Sequence, residues 1–201
     1  MELARDGLAW TRSGLAHAAG VSMTVVDGLK TQGIFEEVML PPPAVVAKPD
    51  IDYARATLSE DQQAAAEMLS EAVEADCFSV SLLDGVTGSG KTEVYFEAVA
   101  KAIEQGKQVL ILLPEIALTQ QFLDRFHDRF GAKPAEWHSD LAPRTRERVW
   151  RQIAEGTVRV VAGARSALFL PFKELGLIVV DEEHDPAYKQ EDLSLIHISE
   201  R

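Results

Sequence analysis

The chain has 201 residues, a formal net charge of −12 and 46% hydrophobic residues. This composition excludes an intrinsically disordered protein, because enough apolar side chains are present to form a packed core. The single cysteine, Cys77, excludes an internal disulfide and a cysteine-rich metal site, and it is expected to be a small buried side chain. The acidic charge disfavours nucleic-acid binding through the overall field, so such binding would need a local group of arginines.

The sequence also indicates no contact with a membrane. It has no apolar segment behind a basic start, and nowhere do eighteen apolar residues follow one another. We therefore expect a cytoplasmic protein.

Residues 1–40 predict part of a winged-helix domain. Two short helices are expected on either side of a turn at Gly20, the second capped by Ser22, with a wing-like strand over Gly33–Val38. The second helix is not basic, so docking against a protein and contact with DNA both stay open. Residues 41–57, which begin with three prolines, predict a stiff linker and a domain boundary.

Residues 58–192 alternate between apolar strands and amphipathic helices, which predicts an α/β domain with a parallel sheet. The run Gln108–Leu113 is expected to be a strand buried on both faces of that sheet. In the next helix, large apolar side chains recur every four residues and are expected to pack in the core and not to stack on bases: Leu118, Phe122, Phe126 and Phe130.

A phosphate-binding motif follows the apolar run Phe78–Leu83, which itself predicts a strand. The motif has the spacing G-x-x-x-x-G-K-T and consists of Gly85, Val86, Thr87, Gly88, Ser89, Gly90, Lys91 and Thr92. Its glycines let successive backbone N–H groups point into one concavity at the start of a helix, where they hold phosphates. Lys91 is expected to contact the β- and γ-phosphates of a nucleotide, and the Thr92 hydroxyl is expected to ligate Mg²⁺.

A second motif, Asp181–His184, directly follows the apolar strand Leu177–Val180. Parallel sheets place their chemistry at the carboxyl ends of the strands. Asp181 is therefore expected to hold Mg²⁺ beside the phosphate loop, and Glu182 to orient and deprotonate an attacking water.

A capping box at Ser59 opens the first helix of this domain. Within it, the amide of Gln62 or Gln63 has the donor and acceptor needed to pair with an adenine edge.

Four arginines lie within eight residues: Arg144, Arg146, Arg148 and Arg151. They indicate either a solvated helix face, with Val149 and Trp150 turned inward, or a patch that contacts phosphates, and both interpretations stay open.

Read in order, four segments resemble motifs of the superfamily 2 DExH helicases, in particular of the bacterial helicases that restart replication: Gly85–Thr92, Pro114–Thr119, Gly163–Phe169 and Asp181–Asp185. The resemblance covers roughly residues 10–192 and implies a RecA-like first lobe of an ATP-driven 3′→5′ DNA helicase. It also implies ATP and Mg²⁺ as ligands, single-stranded and forked DNA as substrates, and primosome and single-strand-binding proteins as partners.

The resemblance also assigns roles to individual residues. It makes Gln62 the residue that reads adenine, and makes Lys91, Asp181 and Glu182 the catalytic groups. It places a further set at single-stranded DNA: Pro114, Glu115, Thr119, His138, Ser139, Gly163, Arg165 and Ser166. Ala164 stands where threonine is common, which affects that side-chain contact only.

Residues 193–201 do not match the helicases and are expected to be a foreign tail. A second lobe with its arginine finger, a cysteine zinc cluster and an N-terminal DNA-binding domain have no counterpart in the 201 residues. We therefore expect a fragment that does not unwind DNA by itself, with zinc bound only in the missing part.

Two alternatives stay open at this point. One is another superfamily 2 motor, such as a restriction-enzyme motor or an RNA helicase, and the other is a P-loop kinase acting on a small molecule. The kinase is the weaker alternative, because Asp181–His184 supplies an acid for activating water and no acceptor pocket is indicated.

Overall fold

The computed structural model describes residues 10–35, 43–86, 88–114, 119–185 and 188. The chain divides into two compact units, Met1–Pro43 and Ala44–Arg201. The described part of the first contains two helices, and the second contains a parallel sheet.

The first unit contains α1 (Arg12–Ala19) and α2 (Met23–Thr31). Gly20 ends α1 in the left-handed conformation with φ 65°, which glycine adopts without the strain that a Cβ would cause. An ion pair of 2.6 Å between Arg12 and Asp27 joins the two helices. The predicted helix pair and its turn at Gly20 are confirmed.

Two further sequence predictions for this unit concern the cap of α2 and the wing-like strand. Ser22 does precede α2, but its hydroxyl caps no N–H group among the described residues. Gly33–Phe35 form a turn and a bend, and the rest of the expected wing lies outside the described residues.

The described residues of the second unit form a four-stranded sheet in the order β2-β3-β1-β4, with every pair parallel. Its strands are β1 (Gln108–Leu112), β2 (Ala135–Trp137), β3 (Val160–Gly163) and β4 (Leu175–Val180). Its helices are α3 (Glu60–Glu74), α4 (Lys91–Glu104), α5 (Gln120–Phe130), α6 (Pro143–Ala154) and a 3₁₀ helix, Arg165–Phe169. The predicted α/β class with a parallel sheet is confirmed.

The sheet is packed on both faces, so the described part of the unit has three layers. One core cluster joins the sheet to α4 and α5, and a second joins it to α6 and the 3₁₀ helix. Every residue of the central strand β1 is buried, as its continuous apolar sequence predicts.

Aromatic side chains fill the first cluster. The ring of Phe96 on α4 lies 5.5 Å from the rings of both Phe126 and Phe130, measured between centroids. Phe122 is also buried in this cluster, so the core role predicted for the stripe is confirmed for these three α5 residues. Leu118 lies outside the described residues.

Gln108 is polar but fully buried at the start of β1. Its amide nitrogen donates to the carbonyls of Ile153 and Val158 at 3.1 and 2.8 Å. Its amide oxygen accepts from the N–H groups of Lys173 and Glu174 at 2.8 and 3.0 Å. Because both ends of the amide are bonded, its burial carries no unsatisfied group, and it fixes the loops before β3 and β4.

Three sequence predictions about burial or strand formation are wrong. Phe78–Leu83 forms no strand, because it pairs with no strand edge among the described residues; Phe78 is 95% exposed. Cys77 is exposed and lies in the bend after α3. Val149 is buried as expected, but Trp150, one position further round α6, is 49% exposed.

Candidate nucleotide and nucleic-acid site

Several of the predicted site residues lie at the carboxyl ends of the parallel strands. In a parallel sheet all strands end on the same side. The register also aligns the last residues, because Leu112 pairs with both Gly163 and Val180, and Trp137 pairs with Gly163. The residues that end the strands or follow them within two positions include Pro114, His138, Ser139, Gly163 and Asp181.

The phosphate loop leads directly into α4, which begins at Lys91. Gly90 precedes it with φ 81°, a left-handed conformation that turns the loop into the helix. The Lys91 ammonium folds back over the loop and donates to the carbonyls of Gly85 and Val86 at 2.5 and 3.4 Å. Among the described residues no side chain caps α4, and the start of a helix is a favourable position for an anion. Thr87 lies outside the described residues.

Gln62 lies against the same loop. Its amide oxygen accepts from the Ser59 N–H at 2.9 Å and completes the predicted capping box, while its amide nitrogen donates to the Ser89 carbonyl at 2.8 Å. A Cβ at Gly90 would lie 2.5 Å from that nitrogen. Gln63 instead bonds Glu67 at 2.8 Å on an exposed part of the helix. Of the two candidate glutamines, Gln62 is therefore the one beside the phosphate loop.

Asp181 and Glu182 begin the turn after β4. The Asp181 carboxylate accepts from the N–H of Glu182 at 3.0 Å, and the Asp181 N–H donates to the Leu112 carbonyl at 3.0 Å. Glu182 has φ 50°, an uncommon conformation for a residue with a side chain, and this side chain is exposed. The second acid of the motif is thus presented to solvent beside the first.

Tyr95, a residue of α4, bonds this turn, and no sequence motif indicates the contact. Its hydroxyl donates to the Asp181 carboxylate at 3.0 Å, and its ring is 6% exposed. Burial raises the pKa of the Tyr95 phenol, and the charge of Asp181 raises this pKa further; a hydrogen bond with the Thr92 side chain opposes the shift. The phenol therefore stays protonated and can act as a donor at neutral pH. The pattern of α4 predicts burial at this position but does not indicate the polar partner.

Tyr188 makes a second contact with the turn, again unforeseen from the sequence. Its hydroxyl donates to the main-chain carbonyl of Asp181 at 3.0 Å. Burial raises the pKa of this phenol, and the charge of Asp181 contributes in the same direction. Asp181 is thus held by one tyrosine at its carboxylate and by another at its backbone.

The residues that are expected to contact DNA differ in their exposure to solvent. Pro114 is buried, and Thr119 caps α5 by accepting from the Phe122 N–H at 3.5 Å. Gly163 is also buried, and a Cβ there would lie 2.5 Å from the Trp137 carbonyl, so a larger residue would push the strand ends apart. Arg165 and Ser166 are exposed; Arg165 donates to the Tyr188 carbonyl at 3.3 Å. Glu115 lies outside the described residues.

The arginines of α6 are partly engaged within the protein. Arg146 donates to the carbonyls of His138 and Ser139 at 3.1 and 2.8 Å, and its guanidinium lies 5.6 Å from the Trp137 ring centre. Arg151 pairs with Glu147 at 2.9 Å. Arg146 therefore orders the residues after β2.

Comparison with protein families gives a direct match. Residues 59–200 match the family described as DEAD/DEAH box helicase, which is most of the chain. The chain belongs to the DEAD/DEAH box helicase family. Membership implies that its phosphate loop binds a nucleotide together with a metal ion, and it removes the small-molecule kinase from consideration.

Curated relatives within this helicase family carry the name replication restart protein PriA. The chain is 46% identical to the protein from Bacillus subtilis over 143 residues, 71% of this chain and 18% of that protein. It is 51% identical to the Rickettsia felis protein over 135 residues, 67% of this chain and 20% of that protein. It is 41% identical to the Chlamydia pneumoniae protein over 193 residues, 89% of this chain and 24% of that protein. The chain thus spans about a fifth of the length of these helicase relatives.

The described residues fit the ligands that a DEAD/DEAH box helicase requires. An uncapped helix start and a lysine ammonium provide donors for phosphate oxygens. Within the described part of the chain no three His, Cys, Asp or Glu side chains form a metal cluster. The hydroxyl of Thr92 and the carboxylate of Asp181 are oxygen donors, which suit a metal ion that is bound together with phosphates. Within the same described ranges, no helix is long and apolar enough to cross a membrane.

Proposed function

We propose that this chain is the nucleotide-binding lobe of an ATP-dependent DNA helicase that acts in replication restart. The main observation that supports the proposal is the contact between the phosphate-loop helix and the acidic turn after β4. There the Tyr95 hydroxyl lies 3.0 Å from the Asp181 carboxylate. Similarity to the PriA proteins supports DNA and replication restart as the particular setting within the family.

In this proposal each polar group of the nucleotide site has one task. Lys91 exchanges its bonds to the Gly85 and Val86 carbonyls for bonds to the β- and γ-phosphates of ATP. Thr92 and Asp181 would hold Mg²⁺, which would supply positive charge to offset the negative charge of the transferred phosphoryl group. Gln62 exchanges one of its present bonds for the adenine edge.

Glu182 activates the water that hydrolyses ATP. The water oxygen attacks the γ-phosphorus, a water proton passes to the Glu182 carboxylate, and the bond from the γ-phosphorus to the bridging oxygen breaks to release ADP and phosphate. The exposed position of Glu182 next to Asp181 supports this role, because the acid must reach a water beside the metal-bound phosphates.

Single-stranded DNA is proposed to bind along the carboxyl ends of the same strands. The residues assigned to it are Pro114, Glu115, Thr119, His138, Ser139, Gly163, Arg165 and Ser166. By similarity we extend the proposal to 3′→5′ unwinding of forked DNA, to primosome and single-strand-binding proteins as partners, and to a cytoplasmic location. With a net charge of −12, binding through a few arginines should be weak and should fall steeply with salt.

Nucleotide binding is tested by Lys91→Ala in the 201-residue chain. Removing the ammonium leaves phosphate charge uncompensated, so ATP·Mg²⁺ affinity should fall about 10- to 100-fold, as expected for the loss of a charged hydrogen bond. Titration with a fluorescent ATP analogue measures this affinity, and thermal melting without nucleotide should show little change.

Lys101→Ala is the matched control, because Lys101 lies on the same helix and pairs with Glu74 and Glu104 away from the loop. Its affinity for ATP should equal that of the parent. Equal affinity in the Lys91 variant would reject the assignment of the site.

The helicase proposal needs a version of the protein that covers the length of its relatives. There Glu182→Gln should retain ATP binding and lose turnover, because the substitution removes the proton acceptor and leaves the phosphate contacts in place. Single-stranded DNA should stimulate ATP turnover of the unchanged protein. Stimulation by RNA alone would instead identify an RNA helicase. If Glu182→Gln weakened ATP binding and left the rate per bound nucleotide unchanged, the roles of Asp181 and Glu182 would have to be reassigned.

A further inference from the structure

Tyr95 occupies a position between the two groups that are proposed to hold the metal ion. It lies in the first turns of α4, three positions after Thr92, so both side chains lie on one side of the helix. Its hydroxyl reaches the Asp181 carboxylate, 86 positions further along the chain, at 3.0 Å. Tyr95 is part of the phosphate-loop helix, and its phenol therefore joins this helix to the turn after β4.

The geometry around Tyr95 leaves this hydroxyl little freedom to move. The ring is 6% exposed and packs edge-on against Phe96, with centroids 5.2 Å apart and planes at 89°. A side chain that is packed in this way has a fixed rotamer, and the position of its terminal oxygen is fixed with it.

The Asp181 carboxylate is bonded at both oxygens. Oδ2 accepts from Tyr95, and Oδ1 accepts from the N–H of Glu182 at 3.0 Å. Two donors on different oxygens determine the plane of the carboxylate, yet each oxygen keeps a further lone pair that can face a cation. The bond from Tyr95 thus orients the carboxylate and leaves lone pairs on its oxygens for a metal ion.

We propose that Tyr95 is a positioning residue that orients Thr92 and Asp181 toward the metal ion of the bound nucleotide. The inference rests on the proposed function, since it takes these two residues as the metal ligands. Partners that orient metal ligands typically change metal affinity about 10- to 100-fold when they are removed. The contribution of Tyr95 should therefore depend on the metal ion and should be absent from binding of the metal-free nucleotide.

The test is Tyr95→Phe in the 201-residue chain, which keeps the packed ring and removes only the hydroxyl. The affinity for fluorescent ADP is measured once with Mg²⁺ and once with EDTA. Affinity with Mg²⁺ should fall about tenfold or more, and affinity in EDTA should stay within about twofold of the parent. Paramagnetic resonance of Mn²⁺ titrated into the chain with ADP should show the same loss directly on the metal.

Tyr53→Phe is the matched control, because Tyr53 is 57% exposed and lies edge-on to His127, away from the acidic turn. Its affinities should equal those of the parent under both conditions. Thermal melting of each variant without ligand shows whether the fold is retained.

Several results would overturn the inference. Unchanged affinity with Mg²⁺, or an equal loss with Mg²⁺ and with EDTA, would mean that Tyr95 does not act through the metal. Loss of folding in Tyr95→Phe before any ligand is added would make the hydroxyl a structural group. Failure of the parent chain itself to bind the nucleotide would instead reject the proposed function, and this inference with it.

Discussion

The two segments that flank the phosphate loop both contain large apolar side chains, but these side chains are buried in only one of the two segments. On the carboxyl side, α4 buries Phe96 and Val99 almost completely against the sheet. On the amino side, Phe78, Val80 and Leu82 are 95%, 84% and 82% exposed. The loop in this chain is therefore held from its carboxyl side, by α4, and by the contact of Gln62 with Ser89. Apolar sequence indicates a tendency to be buried, whereas burial itself requires a partner surface.

The largest difference between the two flanks should appear in stability. Phe96→Ala removes a buried ring from the aromatic cluster and should lower the free energy of unfolding by about 3–5 kcal/mol. Phe78→Ala removes an exposed ring and should change it by less than about 0.5 kcal/mol. Urea unfolding of the two variants and the parent measures both values. Similar losses in both variants would contradict the contrast, because they would mean that Phe78 is buried in the folded protein.

A smaller effect should come from the contact that holds the loop from α3. Gln62→Ala removes the capping box and the bond to the Ser89 carbonyl and should cost about 1 kcal/mol of stability. Gln63→Ala is the control, since the Gln63 side chain bonds only Glu67 among the described contacts, and it should cost a few tenths of a kcal/mol. Thermal melting compares the two. If Gln63→Ala cost as much as Gln62→Ala, the contact with Ser89 would not stabilise the loop.

Several features could be predicted from local sequence because their signal comes from neighbouring residues. The turn at Gly20, the capping box of Ser59 and Gln62, and the buried strand Gln108–Leu112 all depend on short-range patterns, and all are present. The phenylalanine stripe of α5 was predictable for the same reason, because helical periodicity determines which side chains share a face.

The features that could not be predicted depend on contacts between residues that are distant in the sequence. No local pattern shows that Phe78–Leu83 lacks a strand partner among the described residues, or that Trp150 faces solvent while Val149 is buried. The bond between Tyr95 and Asp181 joins positions 86 apart, so it exists only once the sheet has brought α4 and β4 together. The strand-end location of Asp181 could be predicted because parallel sheets share that geometry, but the side chain that orients it could not.

The strand order β2-β3-β1-β4 also determines when the protein can fold during synthesis. The central strand β1 is complete at residue 112, but its neighbours β3 and β4 begin only at residues 160 and 175. At a typical elongation rate the ribosome needs about 2–10 s to make the intervening stretch before β3. During that time five residues that end up fully buried have no strand to pair with. The nascent chain therefore passes through an interval in which the strand that is buried along its whole length in the folded protein is open to aggregation, and a chaperone that binds short apolar segments would find its target there.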